Sequence, residues 1–142
     1  MSGVVTQNID GLHQLAGSKN VLELHGSVHR KYCVACKRKY PLDVILESNG
    51  VPHCECGGII RPDVVLYGEP LDQSVFRDAE KLIAQADVLL VAGTSLRVYP
   101  AAGLIDAYRG ERLILVNRSE TGRDRRANLR IYGNIGDAMR LL

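Results

Sequence analysis

Short apolar runs that stop on polar residues open this chain: Val4-Val5 before Thr6-Gln7-Asn8, then Val21 to Leu24 before His25. Runs of this length, rich in branched residues, predict buried strands. Between them, Leu12 to Ala16 predicts one helical turn, closed by Gly17. From about Val28 to Ile60 helical periodicity is sparse, which predicts a small β-rich module. Val64-Val65-Leu66-Tyr67 predicts a further short strand, ended by Gly68.

The pattern then changes. Val75, Phe76, Ala79, Leu82, Ile83 and Ala86 share one helical face, with Asp72 or Ser74 available as the cap. Val88 to Ala92 and Leu113 to Val116 are continuous apolar runs, expected of parallel strands covered on both faces. Pro100 predicts the first turn of a helix that Gly110 would end. Ile135, Ala138, Met139 and Leu142 predict a terminal amphipathic helix behind Asn134. Helices alternating with buried strands predict an α/β fold, part of a doubly wound parallel sheet.

Composition narrows the function. The chain has 142 residues and a formal net charge of +2, so it can bury a core but has no general affinity for nucleic acid or membrane. It lacks tryptophan and has one phenylalanine, so no aromatic platform for single-stranded bases is evident. No apolar run approaches a bilayer span. Arg123-Asp124-Arg125-Arg126 reads as a solvated loop.

Four cysteines stand in two close pairs, Cys33-Val-Ala-Cys36 and Cys54-Glu-Cys56. Two such pairs can give zinc a tetrahedron of thiolates, with every position filled by protein and none left for water. The site is therefore structural. The second pair is tighter than the usual two-residue spacing, and His53 is an alternative ligand at that corner. Arg30, Lys31, Lys37, Arg38 and Lys39 crowd the first knuckle and offset thiolate charge. Two disulfides or a redox pair are the competing readings; both are disfavoured without a signal peptide or a strand-to-helix setting. With no targeting signal recognised and the cysteines expected reduced, the expected compartment is cytoplasmic.

Ligands of doubly wound sheets bind beyond the carboxyl ends of the strands. Three places here qualify: Gln7-Asn8-Ile9-Asp10, Gly93-Thr94-Ser95 and Asn117-Arg118-Ser119. Glycine lets backbone donors approach a phosphate or ribose, although Gly and Asn also end strands for plain turn reasons. Three such places on one edge point to a nucleotide.

The ordered runs TQNIDGLHQLAG, LELHGS, the paired cysteines, RPDVVLYGE, AGTSLRVYP and LILVN resemble a sirtuin, an NAD-dependent protein-lysine deacylase. The resemblance covers nearly the whole chain. It implies a partial Rossmann-like sheet, residues 1–27 and 61–142, with a zinc-ribbon module at residues 28–60. It also implies NAD and Zn2+ as cofactors and an acyl-lysine protein or peptide as substrate.

By that resemblance His25 is the catalytic base. The acyl oxygen attacks the anomeric carbon of the nicotinamide ribose, nicotinamide leaves, and an alkylimidate forms. His25 then deprotonates a ribose hydroxyl, and the products are free lysine and O-acyl-ADP-ribose. A histidine suits this because its ordinary pKa lies near neutrality. Asn8 and Asp10 match the nicotinamide-ribose pocket, with Asp10 on the carboxamide and Asn8 on the ribose or a water. Gln7 corresponds to a ribose contact. Gly93, Thr94 and Ser95 would line the phosphate and adenosine-ribose site, and Asn117 the adenosine side. Val65, Leu66, Tyr67, Gly68 and Glu69 resemble the strand that pairs with the acyl-lysine peptide, and Arg97-Val98-Tyr99 the strand opposite. Val65 would offer its carbonyl to the lysine nitrogen, while Tyr67 and Val98 would wall the acyl tunnel.

Relatives of this kind begin with a glycine-rich phosphate loop, roughly GAGIS, and a segment ending in PDFR. Neither occurs here. The chain is therefore expected to be the carboxyl-terminal half to two-thirds of a sirtuin, with a bare sheet edge, a tendency to self-associate or to need the missing half, and weak affinity for NAD. An inactive fragment that keeps zinc and peptide or partial nucleotide binding is the alternative. A zinc-ribbon interaction module is a third reading, against which the near-neutral charge weighs.

Overall fold

A computed structural model describes residues 2–140. The chain divides into two compact units, Gly3–Phe76 and the residues from Arg77 onward.

In the first unit, β1 (Val4–Thr6) and β2 (Val21–Glu23) pair in parallel, Val4 opposite Val21 and Thr6 opposite Glu23. The pairing runs on one residue further, where the Leu24 N–H donates to the Thr6 carbonyl at 2.9 Å. Between them lies α1 (Leu12–Leu15), entered through Gly11 at φ +71° and followed by Ala16 and Gly17. The short strands and the turn predicted here are therefore present.

The module that carries the cysteines is a three-stranded antiparallel sheet. β3 (Gly26–Cys33) lies between β4 (Lys39–Tyr40) and β5 (Ile60–Val64), with α2 (Asp43–Leu46) in the connection between those two. The register of β3 on β5 shifts between Ser27 and Lys31, so Val28, His29 and Arg30 bulge out of the ladder. The bulge frees polar groups that the sheet would otherwise use.

The predicted strand Val64–Tyr67 is corrected. β5 begins earlier and ends at Val64. Beyond it, Leu66 and Glu69 form a turn: the Glu69 N–H donates to the Leu66 carbonyl, and the Leu66 N–H donates to the Glu69 carboxylate. Arg61 holds that carboxylate at 2.5 and 3.1 Å. Apolar side chains suggest a strand, but the local carboxylate takes the backbone donor.

α3 (Gln73–Ala84) carries the chain into the second unit. Asp72 is its cap, its carboxylate accepting from the N–H groups of Ser74 and Val75. Ala79 and Ile83 are buried, as the predicted apolar face requires.

β6 (Leu89–Ala92), β7 (Leu113–Asn117) and β8 (Leu129–Tyr132) form a parallel sheet in that order. Leu113, Leu115 and Val116 of the central strand are buried. Apolar patterning does not predict the third strand, because Leu129 to Tyr132 is short and carries an arginine. Two further expectations are corrected. The segment behind Pro100 is a 3-10 helix, Ala101–Ala107, which ends before Tyr108 rather than at Gly110. The loop expected at residues 123–126 is a short 3-10 turn, Asp124–Arg126, still exposed at Arg125 and Arg126: Arg123 reaches Asp106 at 3.0 Å and the Tyr99 hydroxyl at 2.9 Å, and Arg126 also pairs with Asp106. α4 (Ile135–Met139) starts at Asn134, whose side chain accepts from the Gly136 N–H; Leu142 lies outside the described residues. Among the described residues, no helix is long and apolar enough to cross a membrane.

Candidate functional site

The base expected from sequence sits at the end of β2. His25 Nδ1 lies 2.9 Å from the Gln7 carbonyl oxygen. A carbonyl can only accept, so Nδ1 carries the proton and the lone pair falls on Nε2. The His25 carbonyl in turn accepts from the Val65 N–H at 3.0 Å. One residue thus joins the strand end at Gln7 to the segment after β5.

Beyond Gln7 the chain forms a hydrogen-bonded loop. The Asn8 N–H donates to Thr6 Oγ1 at 3.1 Å, and Thr6 is buried. The Leu12 N–H donates to Asp10 Oδ1 at 3.0 Å, an Asx turn that opens α1. The bulge in β3 takes up the rest. The Val28 N–H donates to the Ile9 carbonyl at 3.0 Å, and His29 Nε2 donates to the Asp10 carbonyl at 2.9 Å. Gln7, Asn8, Asp10 and His25 are therefore gathered within one unit. His29 is the member that sequence reasoning misses. No local pattern marks it, because it sits in a bulge set by the register of β3 on β5.

Two glycines make this arrangement possible. Gly26 has φ +77°, and a Cβ there would overlap the Asp63 carbonyl oxygen. Gly11 has φ +71°, and a Cβ there would stand 2.9 Å from His29 Cδ2. At Gly26 conformation and backbone overlap together exclude a side chain, whereas at Gly11 the positive φ disfavours one and the His29 ring would have to shift.

Among the residues matched to peptide binding, Val65 is half-buried and tied to His25, whereas Leu66 to Glu69 form the turn described above. Tyr67 is fully exposed, and Gly68 adopts φ +86°.

In the second unit, the carboxyl ends of three parallel strands bring Gly93, Asn117 and Gly133 to one edge. The Gly93 N–H donates to the Val116 carbonyl, and the Gly133 N–H to the Asn117 carbonyl. Gly93 has φ +64° with no heavy atom within 4 Å of a Cβ position, so its face is open. Thr94 Oγ1 accepts from the Leu96 N–H at 3.2 Å and fixes the turn through exposed Ser95. Asn117 Nδ2 donates to the Ser119 carbonyl at 3.0 Å. Arg97 and Val98 are exposed on the irregular segment after that turn.

The four cysteines form the metal centre. Their sulfurs all lie within 4.8 Å of one another, with Cys33–Cys56 at 3.5 Å and Cys36–Cys54 at 3.6 Å. Zinc–thiolate bonds of about 2.3 Å in a tetrahedron set sulfurs roughly 3.8 Å apart, so the set fits zinc. These separations are far beyond a disulfide bond, and all four thiols are free. His53 is not in the cluster; its Nδ1 faces the Gly57 carbonyl at 3.3 Å. The Tyr40 hydroxyl donates to Cys54 Sγ at 2.9 Å and brings that thiol down to about 6. Backbone N–H groups, that of Cys36 first, also lower the Cys33 thiol. These two shifts favour the thiolates that a metal needs, while Cys56, against the pull of the Gly58 N–H, is pushed up to about 12 by the sulfurs of Cys54, Cys33 and Cys36. Gly58 is the sterically required residue: a Cβ there would lie 2.6 Å from Cys33 Sγ and 2.8 Å from Ala35 Cβ.

The sequence pattern of the Sir2 family matches residues 1–100. The chain belongs to the Sir2 family. It is 59% identical over 141 residues to an NAD-dependent protein deacetylase of Clostridium perfringens and 54% identical to one of Clostridium acetobutylicum. Each alignment takes in 98% of this chain and 58% of the relative. The chain thus spans little more than half the length of these sirtuins. Among solved structures it resembles Sir2Tm bound to a propionylated peptide, with TM-score 0.92 and 45% identity over 99% of this chain and 62% of that one. It also resembles a Sir2 protein with a p53 peptide and NAD+, with TM-score 0.90 and 46% identity over 98% of this chain and 60% of that one.

Proposed function

We propose that this protein removes acyl groups, acetyl foremost, from protein lysine with NAD as co-substrate, releasing nicotinamide and O-acyl-ADP-ribose. The observation that carries this reading is the His25–Gln7 bond, which commits Nδ1 as donor and leaves Nε2 to act as base. NAD, when bound, supplies an anomeric carbon open to attack by the acyl oxygen, with nicotinamide as leaving group.

The chain's own groups do the rest. His25 Nε2 accepts a proton from a ribose hydroxyl, while the Gln7 carbonyl holds Nδ1–H and steadies the imidazolium that results. Asp10, on its Asx turn, would hold the carboxamide, and Asn8 the ribose or a water. Val65, docked on the His25 carbonyl, would present main-chain groups to an extended acyl-lysine peptide. The open face of Gly93, with Thr94 and Ser95, suits phosphates or a ribose at a strand end, and Asn117 the adenosine side. The four thiolates would hold zinc in a closed structural site with no position left for water.

Mass spectrometry of an acetyl-lysine peptide incubated with the protein and NAD tests this directly. Deacetylated peptide together with O-acetyl-ADP-ribose is the expected outcome. Peptide that binds but keeps its acetyl group would contradict turnover and favour a binding role.

A further inference from the structure

On the cysteine module, a hollow of about 450 Å³ is lined by His29, Arg30, Lys31, Lys37, Lys39 and Asp63, with the rings of Tyr32 and Tyr40. Within its lining, cations outnumber the single carboxylate, and the thiolates of the metal centre are the other negative charge in this module. Asp63, the one carboxylate, is engaged by Arg30, which also holds Glu23 at 2.5 Å. Lys37 lies 5.1 Å above the Tyr32 ring, an aromatic rather than an anionic partner. Among the described residues, no ion pair is made by Lys31, Lys37 or Lys39.

Lys31 is the least expected of these. It sits in the central strand, opposite Tyr40 and Pro62, and is 3% exposed. Its Nζ is buried with no hydrogen-bond partner among the described residues. An ammonium withdrawn from water without a partner is strongly unfavourable, and an anion close by would relieve it.

One lining residue, Asp63, lies close in the chain to the segment matched to peptide binding. Asp63 precedes Val65 by two residues on the same extended stretch, about 7 Å at roughly 3.3 Å per residue. We propose that this hollow binds an anionic side chain, carboxylate or phosphate, of the protein substrate beside its acyl-lysine. The inference rests on the peptide-deacylating reading above and adds a preference for acidic sequence context.

Binding separates the two ideas, because it needs no turnover. Fluorescence anisotropy would compare labelled acetyl-lysine peptides that carry glutamate, phosphoserine or glutamine beside the acetyl-lysine. Glutamate and phosphoserine peptides should bind at least about five-fold tighter than the glutamine peptide, a difference of about 1 kcal/mol. That preference should vanish in Lys39→Glu, an exposed position where folding is not at stake, and shrink in Lys31→Met. It should also fade between about 0.05 M and about 0.5 M salt. Preference for glutamate over phosphoserine, or the reverse, identifies the anion. Equal affinity for the glutamine peptide, no binding of any peptide, or a preference that survives Lys39→Glu would overturn the proposal. Failure of the deacylase reading is seen separately, in the products formed from NAD.

Discussion

Gly26 and Asp63 touch backbone to backbone: where any other residue would place its Cβ, Gly26 meets the Asp63 carbonyl oxygen. Their strands pair there, with Gly26 opposite Val64 and Ser27 opposite Asp63. The contact sets where His25, one residue earlier, leaves β2. Gly26→Ala is expected to destabilise the protein by more than about 2 kcal/mol, from the positive φ and the overlap together. Urea denaturation reads the stability, and nicotinamide release should fall with it. A variant of unchanged stability and activity would show that the close approach is dispensable.

Metal retention should depend on a residue that carries no ligand. Gly58→Ala forces a methyl group toward Cys33 Sγ and Ala35. Zinc affinity, measured by competition with a chromophoric chelator, should drop about 10- to 100-fold, the scale of losses when support around a metal site is disturbed. The unaltered protein should hold one equivalent of zinc and lose its fold when the metal is stripped. Retention of the fold after complete removal would contradict a structural role.

Acid should loosen the second unit through Asp124. The Thr121 hydroxyl, first, and the Tyr132 hydroxyl donate to this carboxylate and hold its pKa below the ordinary value. A depressed carboxylate contributes stability that is fully present above its unfolded pKa, about 3.9, and is lost as the pH falls through the lower folded value. The unaltered protein should therefore exceed Asp124→Asn in urea midpoint at pH 7, with the gap closing below about pH 4. A gap that persists in strong acid would argue against this cause.

Periodicity is a good guide where burial alone decides the outcome. The run at Leu113 and the amphipathic face of α3 are in place because apolar side chains have one favourable destination, whereas the run at Leu89 forms its strand but leaves Val88 and Leu90 exposed rather than covered on both faces. The cysteine spacing is equally readable, since few arrangements satisfy a tetrahedral ion. Local polar competition is harder to see. Glu69 captures the Leu66 N–H and turns a predicted strand into a bend. Asp106 gathers Arg123 and Arg126, which no pattern of apolar residues foretells. At the candidate site, the sequence marks His25, Asn8 and Asp10, but not the bulge at 28–30 that pins the loop, because a bulge depends on register between distant strands.

On the proposed reading, His25 is the base on which turnover would depend. Nicotinamide release from NAD, measured with an acetyl-lysine peptide for the protein and for His25→Ala, is the most direct test. Peptide-dependent release by the unaltered protein, lost at least about 100-fold in the variant, is the expected result for removal of a general base. Equal release by both would contradict the role given to His25, and no release by the unaltered protein would contradict turnover itself.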